Sequence, residues 1–155
     1  MKLIAIIIVS CFLMVGTASS MEASVTEFKP LLTIDKKELR ATFVGKWSSK
    51  QPTKKGGIKE SIINRSVDSR YIIEHKIYDK NSALIQESKE VGMWGVSGGI
   101  YFTSFRGWLE NGKVSPSDPT DAYNYDAYKI EHVDQDKLVY KNLSSGNEYT
   151  YNRVK

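Results

Sequence analysis

Cysteine is nearly absent from this sequence, since Cys11 is the single one among 155 residues. Many small exported domains depend on disulfides, and this chain cannot form one within itself. If the segment that contains Cys11 is removed, thiol catalysis and cysteine-ligated zinc are excluded as well. The domain must therefore be stabilised by burial of side chains, and a chain of this length can bury about 65–70% of its unfolded surface.

Histidine is almost as scarce, and neither His75 nor His132 belongs to a metal-binding motif such as H-E-x-x-H. Asp118, Asp121 and Asp126 supply oxygen atoms, but they lack the spacing of an EF-hand calcium loop. Phosphate-binding loops, dinucleotide fingerprints and aromatic RNA-binding motifs are also missing from the sequence. We therefore predict no metal, no cofactor, no nucleic-acid partner and no catalytic residues, and we do not expect an enzyme.

One catalytic pattern does occur, because Gly95-Val96-Ser97-Gly98-Gly99 matches G-x-S-x-G. The nucleophile elbow of serine hydrolases requires this pattern on a turn from a strand to a helix. Here the pattern lies between two strand-like segments and no helical segment follows. We therefore predict a glycine-rich hairpin turn.

Long hydrophobic runs are limited to Leu3–Val15, which is shorter than the roughly 20 residues that span a bilayer. A lysine precedes this run and small residues follow it, an order typical of a secretory signal peptide. We predict a signal peptide at residues 1–20, a flexible lead-in at 21–34 and one domain at 35–155. The protein is then periplasmic or secreted, with no stable membrane span after cleavage. A lipobox-like sequence that ends at Cys11 leaves lipid anchoring as the alternative.

Charge of one sign is also modest, with a formal net charge of +4 and a pI near 9.0. The densest basic group, Lys50–Lys59, flanks a Pro/Gly turn and is read either as a solvated hairpin tip or as a patch for an acidic partner. The longest connection, Gly112–Tyr125, contains two prolines, and long ordered loops are often functional. These two segments support an alternative function. The protein would then act through its loops, as a protein-interaction or inhibitor protein of the cell envelope, and its protein partner is unknown.

Most of the domain has the pattern of short strands separated by turns. Asp35 and Glu38 form a helix-opening pair, which predicts a short helix over Asp35–Thr42. About eight strands follow, each rich in alternating or β-branched apolar residues. They are Phe43–Ser48, Gly57–Arg65, Tyr71–Tyr78, Leu84–Val91, Ile100–Arg106, Tyr128–Val133, Leu138–Leu143 and Glu148–Val154. The sequence therefore predicts an all-β domain, an antiparallel barrel or sandwich.

Tyrosine is abundant, with nine residues against five phenylalanines. Strand alternation places Tyr71, Ile73 and His75 on one face of a strand. A wall of tyrosines offers apolar surface with hydroxyl groups, which suits a small amphipathic ligand and equally a filled, wet interior. The candidate ligand-binding residues, in the lining or at the mouth, are Tyr71, His75, Trp108, Tyr123, Tyr125, Tyr140 and Tyr149.

Gly45-Lys46-Trp47 opens the first strand directly after the short helix, and this G-x-W placement resembles the lipocalins and the wider calycin superfamily. In that family the tryptophan closes one end of the barrel and packs against a late arginine or lysine. Arg153 is the counterpart here, which gives Gly45, Trp47 and Arg153 as the structural signature. The segment Tyr123–Tyr128 is similar to the family's late T-D-Y-x-x-Y stretch at its two tyrosines only.

Two further segments, Gln51–Gly57 and Met93–Thr103, are similar to small exported bacterial lipocalin-like proteins of unassigned function. The resemblance implies an eight-stranded antiparallel up-and-down barrel with a short N-terminal helix. It also implies an exported protein, periplasmic or extracellular, while the family gives a barrel and no activity. The predicted export, the strand count, the G-x-W with its late arginine and the tyrosine-rich lining together predict a non-enzymatic protein that binds a small lipophilic or amphipathic molecule.

Overall fold

The structure is a computed structural model that describes residues 34–155. The predicted signal peptide at 1–20, Cys11 and all of the predicted lead-in except Ile34 lie outside the described residues. Within residues 34–155, no helix has the length and apolar character needed to cross a bilayer.

A short helix, α1, covers Lys36–Phe43. It begins where predicted, because the Asp35 carboxylate accepts hydrogen bonds from the backbone N–H groups of Lys37 and Glu38 at 2.8 and 3.3 Å. It ends at Val44, whose backbone is extended. The helix buries Leu39, Thr42 and Phe43 against one end of the barrel.

Nine strands follow the helix in the described part of the chain. They are β1 (Gly45–Pro52), β2 (Ile58–Arg65), β3 (Arg70–Tyr78), β4 (Leu84–Ser97), β5 (Ile100–Glu110), β6 (Lys113–Pro116), β7 (Tyr125–Val133), β8 (Lys137–Asn142) and β9 (Glu148–Arg153). Neighbours pair antiparallel in the order β4-β3-β2-β1-β9-β8-β7-β5-β6, and a further pairing of β4 with β5 closes the sheet.

All strands except β6 belong to the closed ring, while β6 pairs only with the last residues of β5. The protein is therefore an eight-stranded antiparallel up-and-down barrel with a short N-terminal helix, a lipocalin-like fold, which confirms the predicted fold class.

Both glycine-rich turns beside β5 are hairpins. Gly98 and Gly99 have positive φ and join β4 to β5, so the G-x-S-x-G segment is the hairpin turn that the sequence predicted. Asn111 and Gly112 also have positive φ and turn the chain directly into β6. The prediction of one long connection from Gly112 to Tyr125 is therefore wrong, because β6 and a short 3-10 turn at Ala122–Asn124 lie within it.

One end of the barrel is closed by a packed arrangement of Trp47, Arg153 and the end of α1. Trp47 is fully buried, and its indole N–H donates to the Phe43 carbonyl at 3.1 Å. The Arg153 guanidinium lies 4.1 Å from the Trp47 ring centre and donates to the carbonyls of Val44 and Thr42 at 3.1 and 2.8 Å. Gly45 has φ +108°, and a Cβ there would lie 3.0 Å from Arg153 Nη1, so glycine suits both the backbone and the space.

Candidate functional site

A cavity of about 440 Å³ lies inside the barrel and opens to solvent. It lies at the end opposite α1. Lys59 and His75 in its wall lie near the β1–β2 and β3–β4 turns, whereas Gly45, next to α1, lies at the other end of the strands. This volume lies within the range of about 300–1,000 Å³ that is typical of small-molecule sites. The lining consists of Lys59, Ile63, Tyr71, Ile73, His75, Glu90, Tyr101, Thr103, Phe105, Trp108, Asp121, Tyr123, Asn124, Asp126, Tyr128, Tyr140, Tyr149 and Tyr151.

The structure brings most of the predicted ligand-binding residues to this cavity. Six of the seven candidates line it: Tyr71, His75, Trp108, Tyr123, Tyr140 and Tyr149. Tyr125 does not, since its neighbours Asn124 and Asp126 face the cavity and alternation turns Tyr125 outward, where it is about half exposed. The prediction that Tyr125 lines the cavity or its mouth therefore differs from the structure.

Several lining residues were absent from the sequence prediction, and the charged ones matter most. Glu90 lies on β4, two positions before the buried Gly92 and four before the buried Trp94, and this alternation is the signal that identifies it. The predicted strand ended at Val91, so the inward face of β4 was not visible. Asp126 belongs to the same inward-facing set as Tyr128 and Ile130 on β7.

The barrel interior is filled with side chains at the end near α1 and open at the opposite end. Tyr101, Tyr140 and Tyr151 are almost fully buried and form the floor, with ring centres 5.0 Å apart for Tyr101–Tyr140 and 5.6 Å for Tyr140–Tyr151. Trp108 and Tyr123 are exposed and form the mouth, together with Asp121. The two interpretations of the tyrosine-rich interior, a filled core and an open cavity, thus each describe one part of the barrel.

A cation, Arg65, is completely buried beneath the floor. Its Nε donates to the Tyr101 hydroxyl at 3.2 Å and its Nη2 to the Tyr140 hydroxyl at 3.1 Å. Its guanidinium lies 4.8 Å from the Tyr101 ring centre and 5.5 Å from that of Phe43, within cation–π range. Among residues 34–155 it has no carboxylate partner, and Nη1 has no hydrogen-bond acceptor.

His75 lies in the cavity wall between a hydroxyl and a carboxylate. Its Nδ1 is hydrogen-bonded to Ser61 Oγ at 2.8 Å, and its Nε2 lies 3.3 Å from Glu90 Oε1. A Ser–His–acid row has the composition of a hydrolase triad, but a nucleophile must reach its substrate. Ser61 is buried within the wall and does not line the cavity. The row therefore fixes the orientation of the imidazole and of the carboxylate.

Acidic groups outnumber basic ones in the lining, where Glu90, Asp121 and Asp126 face a single ammonium group, that of Lys59. Burial lowers the pKa of Lys59, and Glu90 opposes that shift. Burial raises the pKa of the Tyr71 hydroxyl, and the negative charges of Glu90 and Asp126 raise it further. Carboxylates that face the cavity thus act to raise the pKa of both neighbouring groups.

The buried tyrosines predict a loss of stability in alkali. Burial raises the pKa of Tyr71, Tyr128 and Tyr140 and brings that of Tyr151 to about 12, against an ordinary value of 10.0. The unfolded chain releases these protons first, so their contribution is complete below pH 10.0 and is lost as the pH rises through the folded values. Urea unfolding should show a steep fall in the free energy of unfolding above about pH 10, reduced in Tyr151→Phe. Stability that stays constant over that range would contradict this assignment.

The two segments of the alternative interaction function, Lys50–Lys59 and Gly112–Tyr125, lie mostly outside the cavity wall. At the β1–β2 hairpin, Lys50 forms an ion pair with Glu60 at 2.6 Å on the surface. In the β6–β7 connection, Asp118 and Asp121 accept backbone N–H bonds from Thr120 and Tyr123 at 2.9 Å, so both stabilise turns. Within residues 34–155, no group of three or more His, Cys, Asp or Glu side chains is placed to hold a metal ion. The interaction function remains a prediction.

Comparison with known proteins shows a likeness to solved structures. No protein-family model and no curated protein matches the sequence. Among solved structures, the chain is similar to a lipocalin-like protein from Bacteroides uniformis, with 12% sequence identity and a TM-score of 0.45, over 73% of this chain and 99% of that one. The strand topology itself defines the class here, a lipocalin-like barrel with a cavity of ligand size.

Proposed function

We propose that this protein is an exported, non-enzymatic binding protein for a small lipophilic or amphipathic molecule, held in the barrel cavity. The observation that carries the proposal is the open cavity of about 440 Å³ with a wall of tyrosine, phenylalanine and tryptophan rings. Export rests on the sequence of residues 1–20, which resembles a signal peptide.

The lining has the two properties that an amphipathic ligand requires. Ile63 and Ile73 are buried on the wall above the floor and offer aliphatic surface, where each buried methylene is worth about 0.8 kcal/mol. Tyrosine hydroxyls and three carboxylates offer polar contacts on the remaining wall. The exposed rings of Trp108 and Tyr123 at the mouth supply apolar surface that a bound molecule would cover.

Filling the cavity should weaken binding without unfolding the barrel. Thr103 lies on the wall, between Tyr101 and Phe105 on β5, and Thr103→Phe extends a ring into the open space. We expect at least a tenfold loss of affinity, about 1.4 kcal/mol, for the neutral fluorophore N-phenylnaphthylamine, measured by fluorescence titration.

The matched control is Thr150→Phe on β9, where the inward-facing neighbours Tyr149 and Tyr151 place residue 150 on the outer face. This variant should bind the fluorophore as the unmodified protein does, and thermal unfolding should show both variants folded. Equal binding by all three proteins would place the fluorophore elsewhere and overturn the proposed site.

A further inference from the structure

We propose that the ligand carries a positive charge, and that the cavity selects an organic ammonium group attached to an apolar chain. This inference rests on the proposed function and adds the chemical class of the ligand. It is carried by the carboxylates and aromatic rings that share the open part of the cavity.

The carboxylates of the wall keep acceptor oxygens available. Glu90 Oε1 faces His75, Asp126 Oδ1 accepts from Asn142 at 2.8 Å, and Asp121 Oδ1 accepts from the Tyr123 N–H. The other oxygen of each carboxylate has no hydrogen-bond donor within the described chain. The lining holds three carboxylates against one ammonium group, that of Lys59. A cation is the ligand group that this charge attracts.

Two pairs of aromatic rings in the cavity wall meet edge to face. Tyr128 and Tyr149 lie 5.9 Å apart between ring centres at an interplanar angle of 85°, and Phe105 and Trp108 lie 5.1 Å apart at 63°. The face of an aromatic ring is its negative side, and a cation over such a face gains about 0.5–2 kcal/mol. All four rings line the same cavity as the carboxylates.

The buried cation fixes the orientation of the ligand. Arg65 lies beneath the floor and contacts the Tyr101 and Tyr140 hydroxyls, so a second positive charge near the floor is repelled. The apolar chain therefore lies against the floor, beside Ile63 and Ile73, and the ammonium group lies above it near Glu90 and Asp126.

The test compares three molecules that share an octyl chain and carry head groups of different charge. Octyltrimethylammonium is the cation, its analogue with a tert-butyl group in place of the trimethylammonium group has the same shape without charge, and octyl sulfate is the anion. Affinities are measured by calorimetric titration of the protein in the form in which the cell produces it. We expect the cation to bind about tenfold more tightly than the neutral analogue, and the anion to bind least tightly.

Variants locate the preference within the cavity. Glu90→Gln should reduce the ratio of cation to neutral affinity about threefold or more, while keeping the shape of the side chain. Lys59→Met removes the opposing charge of the lining and should raise that ratio. The matched control Glu131→Gln removes a carboxylate from the exposed part of β7, where Glu131 pairs with Lys129, and should leave the ratio unchanged.

The outcomes separate this inference from the proposed function. Equal binding of the cation and the neutral analogue overturns the inference and leaves the binding function standing. Tightest binding of octyl sulfate also overturns it and assigns the head group to the Arg65 side of the cavity. Failure of all three probes to bind, together with failure of N-phenylnaphthylamine, removes the proposed function and this inference with it.

Discussion

Replacement of Trp47 by alanine is expected to lower the free energy of unfolding by about 3–5 kcal/mol. The side chain is fully buried, donates a hydrogen bond to Phe43, and lies against the Arg153 guanidinium. Its loss leaves a void at the closed end of the barrel, because the surrounding strands are held in register by their pairing and cannot collapse into it. Chemical denaturation at neutral pH measures the change.

Trp108→Ala is the matched control for Trp47→Ala. The same side chain is removed from the cavity mouth, where it is 43% exposed, so the loss of stability should be much smaller. Arg153→Ala should cost about 1–3 kcal/mol, since it removes the contact with the indole and leaves two carbonyls at the end of α1 without a donor. Unchanged unfolding in both Trp47→Ala and Arg153→Ala would contradict the role assigned to this end of the barrel.

Replacement of Arg65 by alanine is the second large effect that we expect, with a loss of about 2–5 kcal/mol. The long side chain is completely buried among Phe43, Tyr101 and Tyr151, so alanine leaves a void beneath the floor. It also removes the donors that now hold the Tyr101 and Tyr140 hydroxyls.

Arg65→Met separates volume from charge at the same position. Methionine fills most of the space and removes the buried, uncompensated positive charge. Replacement of a buried charge by an apolar group of similar volume is often tolerated. We therefore expect Arg65→Met to recover most of the stability that Arg65→Ala loses, as measured by the same denaturation. A methionine variant as unstable as the alanine variant would show that the charge itself holds the tyrosine floor together.

The local signals in the sequence were sufficient for the fold because each element is specified by its own residues. Asp35 sets the start of α1 through its side-chain oxygen, and Gly98-Gly99 sets the β4–β5 hairpin through positive φ. Alternation on β3 brought Tyr71 and His75 to one face, and the structure places both in the cavity wall. These features depend on near neighbours in the chain, which a single sequence displays.

The charged part of the site could not be predicted because it depends on contacts between distant strands. Arg65 is the last residue of β2, where a charged side chain is ordinarily solvated, and its burial requires the rings of β5, β8 and β9 around it. Glu90 faces inward because it pairs with Ile73 across β3 and β4, and the glycines at 92 and 95 hid the continuation of β4 that shares this face. Tyr125 is a predicted site residue because it lies in the Asp/Tyr-rich loop beside Tyr123, whereas its position in the alternation of β7 turns it outward.

The central claim is that the barrel holds a small molecule in its cavity, and native mass spectrometry tests it most directly. The protein, purified gently from its own compartment, is compared with the same protein after denaturation and refolding, and with the Thr103→Phe variant purified in the same way. We predict an additional mass on the gently purified protein that is lost on refolding and is absent from Thr103→Phe. The bare protein mass in the gentle preparation, with no mass gained when octyltrimethylammonium or N-phenylnaphthylamine is added, would contradict the claim.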